Sequence, residues 1–230
     1  MEDDENEQDD EAPSSSRHGA RNQHKAKIIV QWLQQTFPSL QNVLDVCGGG
    51  RAELAVRMAL CVPGTTVTVV DPRPPTRLET CQSRVIPKLP KKWQQRLWTQ
   101  EENRPGFLRD LLEDRIRHLE LWWTEETVRE NAELQAALQD CDVVVGIHSD
   151  GATELLIDVA LAHGKPFCVM PCCVFPNFFP QRRLTLDDGS GKPVRSYEDF
   201  CQYLLQKDER LQSSVLGFPG RNVAIWWKPS

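Results

Sequence analysis

The sequence predicts an α/β protein whose core is a doubly wound sheet of mostly parallel strands. Short apolar runs alternate along the 230-residue chain with segments in which apolar residues recur at helical spacing. This pattern indicates strands connected by helices that cover both faces of a sheet. The run Cys141–Ile147 is almost continuously apolar, which is typical of a strand buried on both faces. A chain of this length can form one domain with a full core.

Breaker residues bound the elements of the first half. A helical stripe begins near Gln23 and is ended by Phe37-Pro38-Ser39. The strand Val43–Val46 leads into a helix that runs from about Arg51 to Leu60. The next strand, Val67–Val70, is stopped by the prolines at 72, 74 and 75.

Elements of the second half follow the same alternation. Residues 76–117 predict one or two helices with a basic face. Further strands are expected at Arg117–Trp123, Cys141–Ile147, Pro166–Met170 and Val223–Trp227, and helices at Glu125–Leu138, Ala152–Ala162 and Tyr197–Lys207.

The negative net charge of −6 originates in an acidic tail. Eight of the 33 acidic residues lie within residues 1–12, so the other 25 face 27 basic residues in a nearly neutral body. Such a composition predicts that residues 1–22 are disordered and that residues 23–230 form the domain. A near-neutral body gives no electrostatic sign of a nucleic-acid partner.

Cysteine usage and hydropathy indicate the compartment. The eight cysteines are scattered through apolar runs without a pair of C-x-x-C knuckles, which favours reduced thiols and predicts no metal site. No apolar run approaches the roughly 20 residues that span a bilayer, and the acidic N-terminus is unlike a signal peptide. We therefore expect a cytoplasmic or nuclear protein with no membrane partner.

The most informative segment is the loop after the first strand. Asp45 and Cys47 precede three glycines, Gly48, Gly49 and Gly50, and a helix follows. Glycine lets the backbone approach a ligand closely, and the acid that ends the second strand, Asp71, has the character of a ribose-binding acid. The third glycine of the dinucleotide fingerprint is missing, and Asp45 repels a pyrophosphate but suits a cation. These residues predict a nucleoside-binding crevice.

This pattern resembles motif I and the ribose acid of the seven-stranded S-adenosylmethionine-dependent methyltransferases. The resemblance implies a Rossmann-like, seven-stranded methyltransferase fold with S-adenosyl-L-methionine as cofactor. It implies that Asp45, Cys47 and Gly48–Gly50 shape the methionine side of the pocket and that Asp71 holds the ribose. Arg73 or Thr124, with Glu125, then flanks the adenine.

A second polar group follows the buried fourth strand. His148 and Asp150 come directly after this strand, and Cys172 and Cys173 follow the next one. Because the carboxyl ends of strands one and four flank the switch point of a doubly wound sheet, both groups are expected at the crevice. His148 and Asp150 are the candidate catalytic bases for a hydroxyl acceptor.

These two segments resemble a distinct methyltransferase branch. It contains tRNA 2′-O-methyltransferases and the methyltransferase domain of glutathione-S-transferase C-terminal domain-containing proteins. Those relatives show His-x-Cys-Gly, whereas Asp150 stands in place of the cysteine here, and the zinc-finger residues of the tRNA enzymes are absent. RNA as the methyl acceptor is an implication of this resemblance, and the oligomeric state stays open.

Each candidate residue also has a structural interpretation. His148 alternatively bonds a backbone carbonyl, and Asp150 alternatively caps the helix that begins near Ala152. Cys172 and Cys173 alternatively pack as small apolar residues, join His148 in a metal site, or supply a thiol nucleophile. The basic segment 88–104, with Trp93 and Trp98, is either a solvated face or a strip that grips RNA.

Two functions from other classes compete with methyl transfer. One is a nicotinamide-dependent oxidoreductase, which the missing third glycine disfavours. The other is a degenerate cofactor-binding domain that acts as a scaffold, with the acidic tail as its docking segment.

Overall fold

A computed structural model describes residues 25–48, 52–74 and 81–229 of the chain. The predicted disordered tail, residues 1–22, lies outside the described residues, as do Gly49 and Gly50 of the glycine loop. Among the described residues, no helix has both the length and the apolar character needed to cross a bilayer.

The described residues form a seven-stranded sheet, as the sequence predicts. Its strands, in chain order, are β1 (Asn42–Val46), β2 (Thr66–Val70), β3 (Ile116–Leu119), β4 (Val143–Ile147), β5 (Phe167–Met170), β8 (Gln212–Val215) and β9 (Val223–Trp227). Their spatial order is β3-β2-β1-β4-β5-β9-β8. The first five run parallel, and β9 is antiparallel to both neighbours. A separate hairpin pairs β6 (Arg183–Thr185) with β7 (Gly191–Pro193).

Helices cover both faces of the sheet. They are α1 (Lys25–Thr36), α2 (Glu53–Cys61), α3 (Lys91–Asn103), α4 (Phe107–Arg115), α5 (Glu125–Glu130), α6 (Ala132–Asp140), α7 (Thr153–Ala162) and α8 (Tyr197–Leu205). A π-helical turn at Cys81–Val85 and a 3₁₀ turn at Ile86–Lys88 precede α3.

Alternation along the strands divides the core in two. Side chains at positions such as Val43 and Val145 pack with α1 to α4, whereas Leu44 and Val144 pack on the other face with α5 to α8. Successive strand residues point to opposite faces, so the near-continuous apolar character of β4 reflects burial on both of them.

Three expectations differ from the structure. The predicted helix Glu125–Leu138 is two helices, because the Asn131 side chain accepts a hydrogen bond from the Leu134 backbone N–H and starts α6 anew. Strand β3 ends at Leu119 rather than at Trp123. Strand β8 and the β6–β7 hairpin do not appear in the predicted elements, since they are short and mostly exposed.

The first helix is tied to the last strand. The rings of Trp32, Phe37 and Trp226 contact each other edge to face, with centroids 6.0 to 6.3 Å apart. Lys228 Nζ also donates a hydrogen bond to the carbonyl of Thr36, 2.7 Å away. Aromatic pairs of this geometry add to the energy of area burial, so α1 is seated on β9.

Candidate functional site

The predicted site residues lie where the parallel strands end. Backbone hydrogen bonds extend the ladders one residue past the strands: Cys47 N–H donates to the Val70 carbonyl at 2.8 Å, and His148 N–H to the Met170 carbonyl at 3.1 Å. The carboxyl ends of β1, β2, β4 and β5 therefore meet at one edge. Strands β1 and β4 are neighbours with connections leaving in opposite directions, so this edge is the switch point at which ligands bind in doubly wound sheets.

Asp45 is a buried acid without a hydrogen-bond partner among the described residues. Its side chain is 1% exposed, and no described residue donates a hydrogen bond to either carboxylate oxygen. Burial, followed by the nearby charge of Asp71, raises the pKa of Asp45 to about 7. An unpaired buried carboxylate is costly, so the position favours a cationic or hydrogen-bond-donating ligand.

Gly48 keeps the space beside this acid open. A Cβ at Gly48 would lie 2.5 Å from Asp45 Oδ2 and 3.2 Å from Val69 Cγ1. Because real Cβ atoms do not approach an oxygen so closely, any other residue would displace the carboxylate. Cys47, the preceding residue, is half-buried with φ of 58°.

Electrostatics at Cys47 show how acidic the crevice is. Burial first, and then the charges of Asp71, Asp45 and Asp150, raise the pKa of the Cys47 thiol to about 12, and Arg73 opposes them. The thiol is therefore neutral at pH 7. Three carboxylates, one from β1 and one each from the connections after β2 and β4, act on this thiol.

Asp71 is buried at the end of β2 and held by Arg73. The Arg73 guanidinium donates from Nε to Oδ1 and from Nη2 to Oδ2, both at 2.8 Å, and the Arg73 backbone N–H also donates to Oδ1. His118 Nε2 lies 3.0 Å from the Asp71 carbonyl oxygen. Arg73 is 61% exposed, so the predicted adenine-side residue instead binds the predicted ribose acid, from the solvent side.

Thr124 begins α5 as its N-cap. Its side-chain oxygen accepts a hydrogen bond from the Thr127 backbone N–H at 3.1 Å. The neighbouring Trp123 is buried, and its indole Nε1 has no hydrogen-bond partner among the described residues.

Backbone strain is concentrated around the same edge. The described non-glycine residues with positive φ are Cys47, Ala52, His148, Asp150 and Phe175. They lie in the connections that follow β1, β4 and β5. Non-glycine residues in this region carry a conformational cost, and such residues cluster at binding and catalytic sites.

His148 is accessible at the crevice. No described residue hydrogen-bonds its ring, so the interpretation of a ring bonded to a backbone carbonyl finds no support. Partial desolvation and the charge of Lys25 lower the pKa of His148, and Asp150 raises it by less. The imidazole is neutral at pH 7 and able to accept a proton.

Asp150 contacts the two neighbouring cysteines and does not cap the helix. The interpretation of Asp150 as the cap of α7 is wrong, because the N-cap of α7 is Ala152 and no side chain caps it. Cys172 Sγ donates to Asp150 Oδ1 at 3.0 Å and lies 3.5 Å from Cys173 Sγ. Burial, and then the hydrogen bond to Asp150, raises the pKa of Cys172. A neutral thiol is a poor nucleophile.

A network missed by the sequence reasoning anchors the cysteine loop. Arg182 is 2% exposed and donates from Nε to Glu154 Oε2 at 2.7 Å and from Nη1 to the Val174 carbonyl at 2.9 Å. Glu154 also accepts from Tyr203 Oη and from Lys207 Nζ. Glu154 is separated from these three partners by 28 to 53 residues in the sequence, and no local sequence pattern indicates such pairing.

Similarity to known proteins is confined to solved structures. Neither the models of known protein families nor the sequences of curated proteins match this chain. The alignment with a solved structure of a fibrillarin–Nop5p complex covers 91% of this chain and 84% of the other chain, with 8% sequence identity and a TM-score of 0.49. The alignment with the methyltransferase domain of bacterial CtHen1 covers 90% of this chain and 99% of the other, with 16% sequence identity and a TM-score of 0.47. The alignment with a putative O-methyltransferase from Nostoc punctiforme covers 93% of this chain and 58% of the other, with 14% sequence identity and a TM-score of 0.46.

The chain's own architecture identifies its fold. Five parallel strands, the order β3-β2-β1-β4-β5-β9-β8 and the antiparallel β9 next to the edge strand are present together. With helices on both faces, this is the Rossmann-like fold of class I methyltransferases.

Proposed function

We propose that the protein is an S-adenosylmethionine-dependent methyltransferase. The observation that carries the proposal is the buried carboxylate of Asp45, which lies against Gly48 at the switch point and has no hydrogen-bond partner in the part of the chain that the structure describes. S-adenosylmethionine is cationic at its sulfonium and ammonium and carries no phosphate. An acidic crevice suits that ligand and repels the pyrophosphate of a nicotinamide dinucleotide.

The residues divide between cofactor and acceptor. Asp45, with Cys47 and Gly48, would hold the methionine end, and Asp71 the ribose hydroxyls. Arg73 would exchange its contact with Asp71 for one beside the adenine, and Thr124, at the start of α5, would flank the same ring. Gly49 and Gly50 keep the roles that the resemblance implies.

His148 would act on the acceptor. When bound, S-adenosylmethionine supplies a methyl group on a sulfonium, so much of the catalysis is positioning of the acceptor. A hydroxyl acceptor must also lose a proton, and the neutral imidazole of His148 is the group at the crevice suited to take it. Asp150 is the second candidate base.

RNA is the acceptor that we propose, on the strength of the family resemblance and of α3. Lys91, Lys92 and Arg96 are exposed on this helix, and Trp98 is 38% exposed. Exposed cations beside an aromatic ring suit a phosphate backbone and a stacked base. Mass spectrometry of RNA from cells with and without the protein tests this acceptor.

Calorimetry tests the cofactor. We expect S-adenosylmethionine and its demethylated product to bind and NAD not to bind. Asp71→Ala should weaken binding by roughly 1–3 kcal/mol, the cost of leaving ribose hydroxyls without a charged acceptor. Asp114→Ala is the matched control, because Asp114 is an exposed acid on α4 outside the predicted site, and it should leave binding unchanged. Tighter binding of NAD than of S-adenosylmethionine would overturn the proposal.

A further inference from the structure

Asp150, Cys172 and Cys173 form a cluster of metal-ligating side chains. One carboxylate oxygen and the two sulfur atoms all lie within 4.8 Å of one another. Asp150 follows β4, and the cysteines follow β5, 22 residues later in the chain. The sequence offers these cysteines a metal site only as one alternative, with His148 as the third ligand, whereas the structure groups them with Asp150. We propose that the three side chains bind a Zn²⁺ ion.

The distances are close to those of a tetrahedral site. Around Zn²⁺, two thiolates are about 3.8 Å apart, and a thiolate and a carboxylate oxygen about 3.5 Å. The sulfur atoms of Cys172 and Cys173 are 3.5 Å apart, and Cys172 Sγ is 3.0 Å from Asp150 Oδ1. The third pair, Asp150 and Cys173, lies within the 4.8 Å that bounds the cluster.

One helix turn fixes both loops that carry the ligands. Thr153 Oγ1 donates to the Asp150 carbonyl oxygen and lies 2.9 Å from Ser149 Oγ. The next residue, Glu154, holds Arg182, which in turn binds the Val174 carbonyl next to Cys173. Outer contacts that orient the ligands strengthen metal sites. The first turn of α7 thus holds the carboxylate loop and the thiol loop in register.

The donor set selects the metal. Two thiolates and a carboxylate suit Zn²⁺, whereas Mg²⁺ and Ca²⁺ prefer oxygen alone. Three protein ligands leave a fourth position for water, as in zinc sites that do chemistry. Asp150 is exposed and the thiols are half-buried, so this position is accessible. A metal bound here would occupy Asp150 and leave His148 as the acceptor base.

Metal titration of the full chain tests the proposal without cofactor or acceptor. Chelator-treated, reduced protein is titrated with Zn²⁺ by calorimetry and with Co²⁺ by absorption spectroscopy. We expect one ion per chain and a thiolate-to-cobalt charge-transfer band. Cys172→Ser, Cys173→Ser and Asp150→Asn should each weaken binding by about 10-fold or more, at least the loss caused by removing an outer-shell partner. Each cysteine variant should also reduce the charge-transfer band.

Cys61→Ser is the matched control, because Cys61 is a half-buried thiol at the end of α2. It should leave both measurements unchanged, and circular dichroism checks that every variant is folded. Binding that survives in a folded Cys172→Ser, Cys173→Ser double variant would overturn the proposal, as would a cobalt spectrum without thiolate charge transfer. Neither result bears on S-adenosylmethionine binding, so the two proposals fail separately.

Discussion

At the scale of single residues, Asp45 has the environment least suited to its charge. Its pKa is about 7 in the folded protein, against 3.8 for an ordinary Asp. At a pH between these two pKa values, Asp45 is deprotonated in the unfolded chain and still protonated in the folded chain. Stability therefore falls as pH rises through this window and stays lowered above it.

Asp45→Asn should remove this pH dependence. The variant should be more stable than wild type by up to about 4 kcal/mol near pH 8 and by little near pH 4, following the size of the pKa shift. Urea unfolding at both pH values measures the difference. The variant should also bind S-adenosylmethionine more weakly, because the ionised acid is lost. Equal stability of the two proteins at both pH values would show that Asp45 has a partner in solution.

The prediction about catalysis concerns His148. If the acceptor is a hydroxyl, His148→Ala should reduce turnover about 100-fold, the usual scale for a positioned base, with little change in cofactor affinity. His163→Ala is the control, since that ring bonds the Val159 carbonyl within α7. The lowered pKa of His148 predicts that activity persists to lower pH than an ordinary histidine allows. Unchanged turnover in the variant would exclude His148 as the base.

The acids of the crevice are predictable from the sequence, but the side-chain contacts around them are not. Asp45 and Asp71 are predictable because an acid at a strand end and an acid after the next strand are local patterns. The Arg73 contact depends on a side-chain rotamer, and the Asp150–Cys172 contact on the seating of two loops. Neither contact produces a periodic pattern in the sequence.

At the scale of elements, the turn at the start of α7 is held by one buried cation. Arg182 is almost inaccessible to solvent, and Glu154 neutralises it. Glu154→Ala should destabilise the protein by about 3–5 kcal/mol, because it leaves a buried charge without its partner. Asp158→Ala is the control: it removes only a half-exposed contact to Lys207 and should cost less than about 1 kcal/mol.

Chemical unfolding compares these two α7 variants. A similar small loss for both would show that solvent reaches Arg182 when Glu154 is removed. The same experiment bears on the loop 171–182, which should become sensitive to proteolysis in Glu154→Ala and stay protected in Asp158→Ala.

Elements with strong periodicity were the predictable ones. Strands β1, β2, β4, β5 and β9 are largely apolar and are buried or half-buried along most of their length, so their sequences show a readable pattern. Strand β8 has the sequence Gln-Ser-Ser-Val and is mostly exposed; its place in the sheet comes from pairing with β9. The break between α5 and α6 depends on a single capping residue, Asn131, inside a helical period.

At the scale of the whole molecule, we expect the domain to fold without its acidic N-terminus. The composition of residues 1–22 offers too little apolar surface to offset the entropy of ordering. A chain that begins at Gln23 should melt at nearly the same temperature as the full chain in calorimetry. A loss of many degrees would show that the tail packs on the domain.

The contact between Trp32 and Trp226 links the beginning of the domain to its end. During synthesis, α1 leaves the ribosome almost two hundred residues before the strand on which it is seated. Trp32 on α1 therefore lacks its β9 partner until residues 223–227 have been synthesised. A nascent chain that stalls before residue 223 would present Trp32 to chaperones and proteases.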